Sequence, residues 1–223
     1  MVEALVALIL ALLILQLSLK ALAITRQVET SLVRSADRIE TLRLARSVLR
    51  QELRNGTSGI DWGVQSDSIW LRAFRGTGFV CPQSEAGVHL LVAWEGIRRP
   101  DPAKDSVLLL LEDGSWVVGD LLDVEPAPIQ CAADSARAVD YWTLAGAPTL
   151  PVVMGRVFER GSYHLANQAL RYRSGTAGRQ PLTPEVLGTP SSVFLWSGTS
   201  AGLSLVGTDG EPMWSGWIAG GGP

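Results

Sequence analysis

ALVALILALLILQLSLKALAITRQVETSLVRSADRIETLRLARSVLRQELR, residues 4–54, contains neither glycine nor proline. Its first twenty residues are Leu, Ile, Val and Ala, interrupted only by Gln16, Ser18 and Lys20. About 20 apolar residues is the length a helix needs to cross a hydrocarbon core. A cleaved signal peptide would put basic residues before the apolar run and a break after it. No basic residue stands between Met1 and the run, and the helical pattern continues beyond it. Val28, Leu32, Ile39, Leu42, Leu49 and Leu53 recur at spacings that keep them near one helical face, with charged residues between them. Asn55-Gly56 then supplies ordinary helix-ending chemistry. The pattern predicts one helix of roughly 50 residues, about 80 Å long. Residues 1–24 form its membrane-spanning half and 25–54 its amphipathic half.

The 223 residues suffice for this helix and one further domain. Net charge is −3, which argues against a nucleic-acid partner. Its distribution is uneven. Between Lys20 and Arg54, eight basic residues against four acidic ones leave +4, and everything after Arg54 sums to −6. A basic stalk with an acidic head suits side-by-side packing of staggered copies, and a solvated helix explains the same charges without a partner. The two cysteines, Cys81 and Cys131, are a candidate disulfide in an exported domain or else two separate thiols. Their spacing to one another and to histidine matches no metal site, so neither a metal nor another cofactor is expected.

Glu3 stands at the head of the apolar run, where a carboxylate is expensive in lipid unless it has a role or lies at the interface. Val2-Glu3-Ala4-Leu5-Val6-Ala7-Leu8-Ile9 resembles the start of mature type IV pilins and type II secretion pseudopilins. The resemblance implies that Glu3 serves subunit assembly, neutralising the terminal ammonium of a neighbouring subunit inside a filament core and so fixing axial register. Aligned on Glu3, Met1 falls where the family has Leu. The family's short basic leader, its glycine and its methylated first residue would then precede Met1. The positive charge near the run all follows it, which by itself points to a cytoplasmic head. The resemblance implies the opposite orientation.

After Arg54 the periodicity changes. Strands are expected over 69–74, 79–80, 88–94, 107–111, 115–118, 152–159, 162–165, 169–173, 193–196 and 203–206. Asp113-Gly114 marks a hairpin, Gly161 and Asn167 separate strands, and 134–141 reads as a short helix. The fold class expected is α+β: a long N-terminal helix packed on an antiparallel β-sheet head, pilin-like. The head occupies 55–218, and 219–223 forms a flexible tail. Tyr163-His164-Leu165, Ala169 to Arg173 and Gly178 to Thr183 are similar to the C-terminal region of larger minor pilins and J-type minor pseudopilins.

Catalytic chemistry finds little support. Gly198-Thr199-Ser200-Ala201-Gly202 fits the string of a nucleophile elbow. A helix should follow the serine and a histidine should come later. The following residues are strand-like, and no histidine occurs after His164. His89 and His164 lie in strand-like segments. Asp209 and Glu211 are a fragment of a calcium ligand set. Trp196, Trp214 and Trp217 cluster near the end and suit a contact patch.

The expectation is therefore a structural minor subunit, not an enzyme, of a pilus-like or type II secretion filament. It would sit in the bacterial inner membrane as a single-pass protein with an extracytoplasmic head. Its implied partners are the lipid bilayer, other pilins or pseudopilins, a prepilin peptidase and an inner-membrane assembly platform. The alternative is a bitopic membrane protein whose head binds or senses something unrelated to filaments.

Overall fold

The computed structural model describes residues 2–84, 87–131 and 137–220, without the side chains of 4–8 and 11. Helix α1 runs unbroken over Val2–Arg54. It ends at the predicted stop: the Asn55 and Gly56 amides bond back to the Glu52 and Leu53 carbonyls. The Arg156 guanidinium donates to the Asn55 carbonyl at 2.7 Å.

Strands follow in the order β1 (Trp62–Val64), β2 (Ser68–Val80), β3 (His89–Gly96), β4 (Asp105–Leu111), β5 (Trp116–Pro126) and β6 (Val139–Leu144). Then come β7 (Val152–Ala166), β8 (Ala169–Ser174), β9 (Gln180–Pro181), β10 (Val193–Ser197), β11 (Ser200–Val206) and β12 (Pro212–Gly220). Of the expected short helix at 134–141, residues 134–136 lie outside the described residues, and 139–141 open β6. Residues 219 and 220, expected in the tail, belong to β12, and 221–223 lie outside the described residues.

The head corrects the expected fold class. The sheet order is β1-β2-β3-β6-β5-β4-β7-β8-β9, and β2 also pairs with β7. That pairing closes β2, β3, β6, β5, β4 and β7 into a six-stranded antiparallel barrel. The protein is therefore mostly β, not a pilin-like helix laid on a sheet. The physical reason is the length of β2. Its 13 residues bulge between Phe74 and Gly76. Beyond the bulge, Gly76 to Phe79 pair with β7 on one side and β3 on the other. A sheet bent at a bulge and glycines can return on itself, and closure removes two edges. Gly78 faces inward, where an added Cβ would lie 2.3 Å from a Val92 methyl. Its bare backbone admits Trp142, which is fully buried among Leu90, Val92, Val107, Leu109 and Val157. The barrel interior is a packed core.

A second core joins α1 to the head. Ala45, Leu49 and Leu53, spaced four residues apart, are buried against Ile69, Leu71, Tyr163, Leu203 and Ile218. Much of the opposing surface is the separate sheet β10-β11-β12. Burying each leucine contributes about 1.5–3 kcal/mol. Gly161 does not divide two strands as expected, because β7 runs straight through it. A Cβ there would meet the Tyr172 hydroxyl at 2.4 Å, so this glycine makes room for a neighbouring ring. The turn between β7 and β8 is carried instead by Asn167 and Gln168, with φ of 48° and 62°.

Candidate functional site

Helix α1 divides sharply by exposure. From Thr41 onward one face is embedded in the head. Before it the apolar side chains have no cover: Leu13, Leu17, Leu22, Leu32 and Ile39 are all more than half or about half exposed. Exposed apolar side chains in such number mark an interaction site. Among the described residues no helix is long and apolar enough to cross a membrane. Residues 4–8 and 11 of the apolar sequence are outside that description. Glu3 lies in the first turn of α1 and is exposed.

The embedded end is held by charge as well as packing. Arg75 on β2 donates to Glu52 of α1 at 2.9 Å, to Glu159 of β7 at 3.2 Å and to the Tyr172 hydroxyl of β8 at 3.0 Å. Burial works against the Arg75 charge, but Glu52, Tyr172 and Glu159 more than offset it and raise its pKa. Burial, with Glu52 next, pushes the Tyr163 hydroxyl up, and burial pushes Tyr172 up to about 12. Both phenols therefore stay protonated and act as hydrogen-bond partners. Arg98 reaches the fully buried Asp105 carboxylate through two bonds of 2.6 and 2.7 Å, and Glu159 at 3.5 Å. Arg38 pairs with Asp209, and the Arg46 guanidinium lies 4.7 Å from the Trp214 ring centre. The helix is thus clasped along its last 17 residues by Arg75 of β2, Tyr163 of β7, Trp214 of β12 and Asp209 of the β11–β12 turn. Sequence reading missed Arg75, Glu52 and Glu159, because charges far apart in the chain give no local signal.

Cys81, just past β2, and Cys131, beyond β5, form a disulfide with Cα atoms 5.4 Å apart. Ser200 opens strand β11 after the Gly198-Thr199 turn, so no helix follows it as a nucleophile elbow requires. His89 contacts Thr143 at 3.2 Å on the barrel surface. His164 is buried on β7, with Nε2 2.8 Å from the Ser162 hydroxyl. Asp209 is engaged with Arg38 and the Glu211 amide. No group of three metal-ligating side chains occurs among the described residues. Trp196 and Trp217 stand exposed, whereas Trp214 packs against the α1 core.

No family model matches the chain, and no curated protein or solved structure shows significant similarity to it.

Proposed function

We propose that this chain is a membrane-anchored structural subunit, a minor pilin or pseudopilin, that co-assembles with like subunits through its N-terminal helix. One observation carries the reading: α1 is continuous over 53 residues, yet only its last third engages the head. The uncovered apolar half must find lipid or other helices. Glu3 at its tip supplies a carboxylate that sets axial register against a neighbouring terminal ammonium, since an unpaired charge in an apolar core costs several kcal/mol. The clasp at Glu52–Arg75 transmits that position rigidly to the head. The proposal rests on α1 and needs no particular fold in the head.

The test follows the full-length protein in its native membrane and in sheared surface material. Wild type should appear in the sheared fraction, with a mature end identified by mass spectrometry upstream of the Val2-Glu3 pair and N-methylated. Glu3→Ala should reduce that fraction severalfold while leaving membrane levels unchanged. A protein that never leaves the membrane fraction, and tolerates Glu3→Ala freely, is instead a bitopic anchor for its head.

A further inference from the structure

Two surfaces of opposite charge, neither of them ion-paired among the described residues, lie on opposite sides of the head. The first is a groove of about 860 Å³ between α1 and β12. Arg43, Arg46, Arg50 and Arg54 line one wall, and Trp217 and Ile218 the other. The arginines recur at steps of three, four and four residues and so form one stripe about 16 Å long. All four are exposed, and no described carboxylate forms an ion pair with any of them.

The second is the outer face of β5. Between Asp105 and Cys131 the chain contains no lysine or arginine. Asp120, Asp123 and Glu125 are exposed on β5, and Glu112 and Asp113 are exposed at the turn before it. None of the five forms an ion pair with a described residue. The span from Asp120 to Glu125 is about 16 Å at strand rise, matching the arginine stripe. Trp116, Val118 and Leu122 stand out among these acids, 44%, 47% and 61% exposed. An acidic strand studded with apolar side chains complements a basic groove walled by Trp217 and Ile218.

The two surfaces cannot meet within one molecule. Arg75 ties α1 to β2, and β5 lies three strands from β2 in either direction around the barrel. We propose that the acidic face of β5 in one copy docks into the arginine groove of the next, forming a head-to-stalk contact that repeats. Donor and acceptor patches on opposite sides make the contact heterologous, so it repeats head to tail, as a ring or an open chain, instead of closing a two-fold dimer. This rests on the reading of the chain as a filament subunit, and names where two heads touch.

The experiment is sedimentation velocity of the full-length chain in detergent micelles. The wild type should form a concentration-dependent series of oligomers that shrinks as salt rises from about 0.05 M to about 0.5 M, because such exposed charges are screened. Arg43→Glu with Arg50→Glu, or Asp120→Arg with Asp123→Arg, should each weaken association about tenfold. All four changes in one chain should restore it, as should mixing the two double variants. These positions are exposed, and an intact Cys81–Cys131 bond with unchanged far-UV dichroism verifies folding. Self-association that ignores salt and both reversals overturns the proposal. So does a failure of the charge swap to rescue, or a chain that stays single while its groove takes up polyglutamate. Charge-swap rescue without any sheared filament in cells would defeat the filament reading and leave this contact standing. Filaments indifferent to the swap would do the reverse.

Discussion

His164 places Nε2 on the Ser162 hydroxyl and leaves Nδ1 buried without a hydrogen-bond partner. Burial lowers its pKa first, and the nearby Arg179 and Arg173 charges lower it further against the opposing Asp67. An unfolded histidine titrates near about 6.5. As pH falls through that value the unfolded chain takes up a proton that folded His164 refuses, so stability drops with pH in this window. Urea denaturation at pH 7.5 and 5.5 should show this loss, and His164→Gln should lose less between the same two values. An equal loss in both proteins would remove His164 as the cause. The chemistry of this residue follows from its position on β7. Its sequence neighbourhood shows only a histidine in a strand-like run, because the Arg179 and Asp67 charges arrive from other segments.

Helix α1 is the element on which everything else depends, and Arg75 is its principal fastening. Arg75→Leu would leave Glu52 and Glu159 facing each other without their shared cation. Breaking a fully buried pair costs about 3–5 kcal/mol; these groups are part-buried and Glu159 keeps Arg98, so the expected loss is about 2–3 kcal/mol. Chemical denaturation of the full-length protein should show a loss of that size, and adding Glu52→Gln to Arg75→Leu should recover part of it. A loss below about 1 kcal/mol would reduce the cluster to the energetics of a surface ion pair. The helix itself was legible in the chain, from its unbroken run without Gly or Pro to its stop at Asn55-Gly56. Its fastening was not, since the partners of Glu52 lie on β2 and β7.

At the scale of the whole molecule, the disulfide ties the end of β2 to the connection after β5 across a separation of 50 residues. Loop-closure entropy for a ring of that size corresponds to about 4 kcal/mol of stabilisation. Dithiothreitol should lower the urea midpoint of the wild type accordingly, and a Cys81→Ser, Cys131→Ser double variant should match the reduced protein with no further response to reductant. An unchanged wild-type midpoint in reductant would show that the link adds nothing. The bond and the barrel share one origin in long-range geometry. Most strand positions, the Asp113-Gly114 hairpin and the long helix were written in the sequence, because alternation, turn residues and helical spacing are local properties of the chain. Two expected boundaries dissolved: Gly161 and the Gly76–Gly78 stretch sit inside long strands, where they admit Tyr172 and Trp142 and let β2 bend. Closure of the barrel, the opposition of the arginine groove to the acidic strand, and the clasp at Arg75 belong to tertiary structure alone. Each depends on which distant strands pair, and in a closed sheet that choice is made by the packing of the whole core.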